Sequence, residues 1–397
     1  MPKKPLAGRR IWLVGIGGAG LSGYALLARA WGAEVGGWDR VETPYLRHLA
    51  GIAVQITPEP VVPDGWEAVV STAYAGRVEG RSRAELLAEL VSLQDAIVVG
   101  GAHGKGTTTA MIAFALDRLG RDPAFLVGAD VPQLGGNARA GAGWLVVEGD
   151  ESDRTVFGLR PRIAVVTNVD LDHHTTFASL AELREEFDRW LADAPAAVRG
   201  EELEPFDGPL RLPGEYNRRN AATALAALEL ADVPREEAAA ALGEFTGTAR
   251  RFEPRGVVAG IVVYDDYAHH PAEVEAVVAA AREQGARRVL VLFQPHLYSR
   301  TRHLAAELGR ALATADVAYV TEIYRAREEP IDGVTGKLVV EAAAEARPGL
   351  PVAWTPDLEE GARLLARRAR PGDAVLTVGA GDVDRAVPLI LAELERR

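Results

Sequence analysis

Short apolar segments alternate with amphipathic helical patterns along the whole chain. The first unit lies in residues 10–39, where an apolar strand, a glycine turn, a helical pattern and a second strand follow one another. Later strand-like segments also end in polar residues and mostly lead into further helices. This alternation is typical of a mostly parallel sheet with helices on both faces, so the pattern predicts an α/β fold.

The pattern divides the chain into three blocks. A chain of 397 residues is too long for one compact core, which favours two or three domains. The blocks cover residues 1–93, 94–248 and 249–397. In the middle block the predicted elements are strands at 95–101, 144–150 and 162–170, a loop at 194–214, and helices at 217–231 and 235–243.

Composition narrows the class of protein. The chain has no cysteine, which excludes disulfides, thiolate metal sites and cysteine nucleophiles. Its net charge of -12 argues against binding of nucleic acid, and its apolar runs are too short for membrane insertion. The N-terminus runs directly into a strand and does not resemble a signal peptide. We therefore expect a cytoplasmic protein with small-molecule substrates.

The segment GIGGAG fits the dinucleotide-type glycine motif between a strand and a helix. Such a turn brings backbone N–H groups and a helix N-terminus close to a pyrophosphate. Asp39 ends the next strand, near the spacing expected of a ribose-binding acid. The alternative is a plain tight turn. The candidate residues are Gly15, Gly17, Gly18, Gly20 and Asp39.

The segment GAHGKG resembles a phosphate-binding loop with one departure. Lys105 follows the glycines, in a chain with lysine only at positions 3, 4, 105 and 337. The next position, where a Ser or Thr hydroxyl normally binds Mg²⁺, is Gly106. Thr107 follows, but one step along a helix turns a side chain by about 100°. Whether Thr107 replaces the lost hydroxyl therefore stays open.

Acidic and basic clusters follow the other predicted strands. Carboxylates after two strands of the middle block suit Mg²⁺; they are Glu148, Asp150, Glu151, Asp153, Asp170 and Asp172, followed by His173 and His174. Asn217 and Asn220 begin a predicted helix, where Asn217 is best interpreted as an N-cap. The third block brings further candidates, namely Arg250, Arg251, Asp265, Asp266, His269, His270, His296, Arg300 and Arg302.

Taken in order, these motifs resemble the Mur ligase family. The resemblance extends from about residue 10 to about residue 385 and rests on GIGGAG, GAHGK, VEGDESD, NVDLDH, YNRRNAA, FTGTARRF, DDYAHHP and FQPHLYSRTR. It implies Rossmann-like N- and C-terminal domains and a central P-loop ATPase domain. It also implies an ATP- and Mg²⁺-dependent enzyme that joins L-alanine to the carboxylate of UDP-N-acetylmuramate through an acyl phosphate, acting as a monomer or homodimer.

The resemblance assigns roles to individual residues. The catalytic set it implies is Lys105, Glu148, His173, Arg251 and His270, with Glu148, His173 and Thr107 at the metal. The nucleotide-binding set is Gly101, His103, Gly104, Lys105, Thr107, Thr108, Asn217, Asn220, Arg251 and Asp265. The substrate-binding set is Gly15, Gly17, Gly18, Gly20, Asp39, His269, His296, Arg300 and Arg302.

Two segments are shorter than the family pattern. One is residues 74–82, and the other lies between NVDLDH and LPG, where roughly fifty residues are missing. We expect both gaps to lie outside the sheet core. A non-catalytic relative that binds nucleotide or UDP-sugar stays the alternative, as does a ligase that attaches a different amino acid or peptide.

Overall fold

The computed structural model describes residues 4–171, 176–326 and 328–397. Within these residues the chain forms three β-sheets flanked by helices, which confirms the predicted α/β class. The chain divides into two compact units. One comprises residues 1–212 and 217–248, and the other residues 213–216 and 249–397. The predicted boundary at 93/94 lies inside the first unit, and the three-domain division stays a prediction.

The first sheet is entirely parallel, with strand order β3-β2-β1-β4-β5. Its elements are β1 (Arg10–Val14), α1 (Ala19–Ala30), β2 (Glu34–Asp39), β3 (Ala53–Ile56), β4 (Glu67–Val70), β5 (Arg81–Ser82) and α2 (Arg83–Ser92). Helix α2 begins with a capping box, in which Ser82 and Glu85 bond to each other's backbone N–H. This cap fixes where α2 begins and therefore where Arg83, its first residue, lies.

The second sheet has the order β11-β10-β6-β9-β7-β8 and is parallel except for the β7–β8 pair. Its strands are β6 (Ala96–Gly100), β7 (Ala124–Val131), β8 (Gly136–Arg139), β9 (Leu145–Glu148), β10 (Ile163–Val166) and β11 (Ala196–Arg199). Its helices are α3 (Lys105–Arg118), α4 (Leu180–Asp193), α5 (Glu215–Leu230) and α6 (Arg235–Gly243). The central strand β6 is buried throughout, as its unbroken apolar run requires.

The shortened segments lie at sheet edges. Residues 194–214, predicted as loop, contain the strand β11, so that prediction was wrong in part. β11 is four residues long and pairs in parallel with β10 at one edge of the second sheet. The other short segment, residues 74–82, ends in β5, a two-residue edge strand. Both segments thus supply only edge strands, while the positions of the gaps relative to the family stay a prediction.

The first two sheets share a hydrophobic core cluster. Leu13 of the first sheet and Val98 of the second belong to the same buried cluster. Gly23 of α1 allows a close approach, because a Cβ there would lie 2.8 Å from a methyl carbon of Leu126 in β7. The two sheets are therefore packed together through one core, and the predicted boundary at 93/94 lies between two sheets of the same compact unit.

The third sheet has the order β12-β13-β17-β14-β15-β16, with only β12 antiparallel. Its strands are β12 (Glu253–Val258), β13 (Ile261–Asp266), β14 (Val289–Phe293), β15 (Val317–Val320), β16 (Val352–Trp354) and β17 (Ala374–Val378). Its helices are α7 (Pro271–Glu283), α8 (Tyr298–Leu312), α9 (Lys337–Ala346), α10 (Leu358–Arg368) and α11 (Ala386–Glu395). None of the described helices is long and apolar enough to traverse a bilayer.

Candidate active site

The loop between β6 and α3 has the backbone of a phosphate cradle. Gly101 and Gly104 both have positive φ angles, of 122° and 78°. A Cβ at Gly104 would lie 2.2 Å from Asn220 Oδ1, and one at Gly101 would lie 2.4 Å from Thr167 Oγ1. Both positions therefore require glycine for conformation and for space. The loop leads directly into the N-terminus of α3, which favours an anion.

Two residues after β10 hold this loop in place. His103 N–H donates to Asn168 Oδ1 at 2.9 Å, and Asn168 Nδ2 donates back to the carbonyl oxygen of His103 at 2.8 Å. Thr167 Oγ1 donates to the same carbonyl at 2.6 Å. Neither residue was among the predicted site residues. Their position directly after a buried strand was the available signal, since β10 pairs with β6 and so places its end beside the loop.

Lys105 turns its ammonium back into the loop. Nζ donates to the carbonyl oxygen of Gly101 at 2.6 Å and lies 3.0 Å from Glu151 Oε2. Burial lowers the pKa of Lys105, but the carboxylates of Glu151, Asp150 and Glu148 outweigh burial, so its pKa lies above the ordinary value. The ammonium is therefore charged where the loop would place phosphates.

Glu148 lies against the position of the missing hydroxyl. It ends β9, and its Oε2 accepts a hydrogen bond from Gly128 N–H at 2.6 Å. A Cβ at Gly106 would lie 3.2 Å from the same Oε2, and one at Gly128 would lie 2.8 Å away. The carboxylate is thus held between two glycines. Its hard oxygens beside the phosphate loop fit a magnesium ion.

The geometry around Gly106 gives a testable expectation. We expect Gly106→Ala to weaken binding of ADP with Mg²⁺ about tenfold, because the added Cβ displaces Glu148. We expect Gly106→Ser to recover most of that loss, because its hydroxyl adds an oxygen ligand. Isothermal titration calorimetry with and without Mg²⁺ measures both. Equal affinities for the Ala and Ser variants would show that a hydroxyl at this position contributes nothing.

For the other residues predicted to bind the metal, the structure shows no hydrogen bond to Glu148 among the described residues. Thr107 is buried on α3, one position beyond the residue that faces Glu148, so its side chain is turned by about 100° from that direction. Its role as a metal ligand stays a prediction. Thr108 is also buried, and among the described residues its hydroxyl has no hydrogen-bond partner. His173 lies outside the described residues.

The two asparagines of YNRRNAA lie inside α5. Helix α5 begins at Glu215, so Asn217 is its third residue and is buried. The N-cap interpretation of Asn217 was therefore wrong: an N-cap there would start the helix at Arg218, and the helix begins three residues earlier. Asn220 Nδ2 donates to Asn217 Oδ1 at 3.4 Å, and Asn220 packs against Gly104 of the loop. The pair thus lies next to the phosphate cradle.

The glycine turn after β1 is bonded to its own acid. Gly15 has a φ of 90°, and Gly17 N–H donates to Asp39 Oδ2 at 2.8 Å. Asp39 is buried, and a Cβ at Gly17 would lie 2.8 Å from that oxygen. Gly18 precedes α1 and Gly20 lies in its first turn. Asp39 therefore has a structural role, because its carboxylate holds the glycine turn. Its contact with a ribose stays a prediction.

In the second unit, Arg250 and Arg251 differ sharply in how they are held. Arg250 donates to Asp265 Oδ2 at 2.9 Å and to two carbonyl oxygens, those of Gly379 and Gly381. Arg251 lies over the Tyr267 ring, with its Nη1 3.6 Å from Glu273 Oε1. Arg250 is thus bonded to the C-terminal end of β13 and to the segment after β17, whereas Arg251 contacts the Tyr267 ring and Glu273.

The acids at the end of β13 are buried. Burial raises the pKa of Asp265, although Arg250 and Thr377 oppose the rise. Burial also raises the pKa of Asp266 to about 7, against the opposing charge of Arg251 and two backbone N–H donors. These two carboxyls organise the segment that carries Arg251 and the two histidines. Direct contact between Asp265 and a nucleotide stays a prediction.

The remaining predicted residues form one histidine cluster and one outlier. The rings of His269 and His296 lie 5.9 Å apart, and Arg300 donates to His296 Nδ1 at 3.1 Å. His270 is the N-cap residue of α7. Arg302 is exposed on α8, two positions and about 200° from the buried Arg300. The structure therefore does not bring Arg302 into the cluster.

Comparison with known proteins finds relatives along the full length of the chain. Residues 250–381 match the family model described as Mur ligase, glutamate ligase domain. The UDP-N-acetylmuramate–L-alanine ligase of Renibacterium salmoninarum is 40% identical over 452 positions, covering 97% of this chain and 96% of the relative. The enzyme of the same name from Streptomyces coelicolor is 37% identical, covering 100% of both chains.

A solved structure agrees in fold. The crystal structure of the UDP-N-acetylmuramate–alanine ligase from Thermotoga maritima is 25% identical and superposes with a TM-score of 0.80, covering 98% of this chain and 99% of that one. The alignment with the Renibacterium protein runs over 452 positions against the 397 residues of this chain. The alignment therefore includes residues of this relative that this chain lacks, as the resemblance to the family implied.

Proposed function

The chain belongs to the UDP-N-acetylmuramate–L-alanine ligases of the Mur ligase family, and from this membership we propose how its residues perform the ligation. The enzyme joins L-alanine to the carboxylate of UDP-N-acetylmuramate at the expense of ATP. The observation that carries the residue assignment is the loop of Gly101 to Lys105, whose charged ammonium lies 3.0 Å from Glu151 and is further stabilised by the charge of Glu148. The comparisons lend no support to a non-catalytic relative.

The proposed reaction has two steps. A carboxylate oxygen of UDP-N-acetylmuramate attacks the γ-phosphorus of ATP, the bond to the β,γ-bridging oxygen breaks, and ADP leaves. The neutral amine of L-alanine then attacks the carbonyl carbon of the acyl phosphate. The C–O bond to phosphate breaks, inorganic phosphate leaves, the nitrogen loses a proton, and an amide bond has formed.

Each group at the loop has a role in the first step. The ammonium of Lys105 and the N-terminus of α3 oppose the negative charge that moves onto ADP during phosphoryl transfer. Glu148 would hold Mg²⁺, which would neutralise phosphate charge when bound. Asn220, which packs on the loop, and Asn217, which is bonded to it, are proposed to bind the adenine side of the nucleotide. Arg251 is proposed to reach the transferred phosphate.

The domain roles are part of the same proposal. Residues 1–93 would bind the UDP-sugar, residues 94–248 the ATP, and residues 249–397 the amino acid, through His296 and Arg300. The proposed place of action is the cytoplasm, where ATP is available.

A coupled phosphate-release assay tests the function directly. With ATP, Mg²⁺, UDP-N-acetylmuramate and L-alanine together, we expect phosphate release that depends on all four components and a product heavier by one alanine residue. Replacing L-alanine by other amino acids in turn identifies the preferred amine. Phosphate release no greater than that of a Lys105→Met variant under these conditions would refute the proposed activity.

A further inference from the structure

Arg83 joins two parts of the first unit that lie far apart in the sequence. Its Nη2 lies 2.8 Å from Asp150 Oδ2 and 2.8 Å from Asp153 Oδ2, and its Nε donates to the same Asp153 oxygen at 3.2 Å. Arg83 is the first residue of α2, whereas the two aspartates follow β9. We call residues 148–153, from the last residue of β9 onward, the acid segment. One guanidinium therefore holds both aspartates of this segment.

The backbone of the acid segment is bonded to the same two aspartates. Asp150 Oδ1 accepts from Ser152 N–H at 2.9 Å, and Asp153 Oδ1 accepts from Thr155 N–H at 3.1 Å. Each carboxylate thus offers one oxygen to its own loop and the other to Arg83. Moving the guanidinium would consequently move the loop backbone, including Glu151, which contacts Lys105.

Arg83 offsets the negative charge of the acid segment, and this effect is larger when nucleotide is bound. Glu148, Asp150, Glu151 and Asp153 place four carboxylates within six residues. Burial raises the pKa of Asp150, but its bond from Ser152 and the charges of Arg83 and Lys105 lower it below the ordinary value. Phosphates that bind Lys105 compete with Glu151 for its ammonium. Arg83, bonded to Asp150 and Asp153, still offsets repulsion within the acid segment in that state.

On its other side Arg83 faces the first turn of α1. A Cβ at Gly20 would lie 3.5 Å from Arg83 Nη1, so the guanidinium sits between the first turn of α1 and the acid segment. Gly20 was predicted as a substrate residue from the glycine motif. A methyl group at this position would make an ordinary contact with the guanidinium, so Arg83 does not require glycine here.

We propose that Arg83 is a positioning residue for the nucleotide site, which acts by holding the acid segment through Asp150 and Asp153. The proposal rests on the proposed function only in taking the loop of Lys105 as the ATP site. Arg83 acts through the two aspartates and has no direct contact with ATP in this account.

Arg81 offers a matched control two residues away. It also bonds two carboxylates, Glu67 at 2.7 Å and Glu89 at 2.9 Å, and is partly buried like Arg83. Its partners lie on β4 and α2, away from the acid segment. Arg81→Met therefore removes an arginine with two ion pairs from the same unit without loosening the acid segment.

Calorimetry with ADP as the probe tests the proposal without turnover. We expect Arg83→Met to weaken ADP binding in Mg²⁺ by about 10- to 100-fold, the range found when groups that orient metal ligands are removed. ADP binding in EDTA should change less than threefold, and Arg81→Met should change neither value by more than about twofold. Arg83→Lys should recover part of the loss, because an ammonium can hold one of the two aspartates.

Several outcomes separate the alternatives. If Arg83→Met is folded and binds ADP with Mg²⁺ as tightly as the wild type, the proposal is overturned. If Arg83→Met does not fold, Asp153→Asn tests the same ion pair from the other side and should weaken Mg²⁺-dependent binding about tenfold, with wild-type affinity again overturning the proposal. Arg83-dependent ADP binding in an enzyme that forms no alanine adduct would refute the ligase activity while supporting this role.

Discussion

Lys105→Met should lower kcat/KM for ATP by about 10³-fold, the loss typical when a preorganised charge at a reacting phosphoryl group is removed. The side chain of methionine is similar in length but carries no charge. The variant therefore lacks the positive charge that stabilises the negative charge developing on ADP. It also lacks the contact between Nζ and Glu151 at 3.0 Å. Steady-state phosphate release at saturating UDP-N-acetylmuramate and L-alanine measures the effect.

Lys337→Met is the control for this substitution. Lys337 begins α9, where its ammonium lies 4.2 Å from the centre of the Trp354 ring. The Lys337→Met substitution removes the same charge from a position with no proposed role in catalysis. Its kcat/KM should therefore stay within about twofold of the wild type. Binding of UDP-N-acetylmuramate to Lys105→Met confirms that the variant is folded. Wild-type kcat/KM in a folded Lys105→Met enzyme would refute the assignment of this loop as the phosphate site.

Glu148→Gln should lower kcat/KM about 10²-fold and raise the Mg²⁺ concentration needed for half-maximal ADP affinity. The amide has nearly the same shape as the carboxylate but lacks its charge. It also has only one acceptor oxygen, so when Gly128 N–H takes that oxygen the NH₂ group faces the site. Calorimetry over a range of Mg²⁺ concentrations separates this metal effect from a simple loss of turnover.

Glu244→Gln is a suitable comparison because Glu244 forms an exposed ion pair with Arg118 at 2.8 Å, and exposed pairs contribute little. Its Mg²⁺ dependence should match that of the wild type. A Glu148→Gln enzyme with unchanged Mg²⁺ dependence would mean that the metal is held by other groups, and the slot between Gly106 and Gly128 would then have no role in metal binding.

Periodicity and glycine placement predicted much of the fold. The buried strand β6, the loop around Lys105 and the helix α3 could be identified because an apolar run, glycines and a helical pattern occur in that order. The strand β11 was missed because its four residues lie in a proline- and acid-rich segment, where composition favours loop. Parallel pairing with β10, a contact distant in sequence, determines that strand.

The candidate site was predictable only in part, for a related reason. Local rules suggested an N-cap at Asn217, but the helix begins at Glu215 and buries that side chain. The part played by Arg83 depends on its contact with Asp150, 67 positions away, and no local pattern encodes that contact. The sequence alone showed that Gly106 departs from the usual phosphate-loop pattern. That Glu148 lies against Gly106 could be seen only in the structure.

The acyl-phosphate route fixes the fate of one oxygen atom of the substrate carboxylate. UDP-N-acetylmuramate labelled with ¹⁸O in both carboxylate oxygens should transfer one labelled atom to each inorganic phosphate released, because that oxygen attacks the γ-phosphorus and leaves with phosphate when alanine attacks. Mass spectrometry of the phosphate, after turnover with ATP, Mg²⁺ and L-alanine, gives the answer. Singly labelled phosphate in amounts equal to the amide product is the predicted result, and unlabelled phosphate accompanying amide formation would contradict the account.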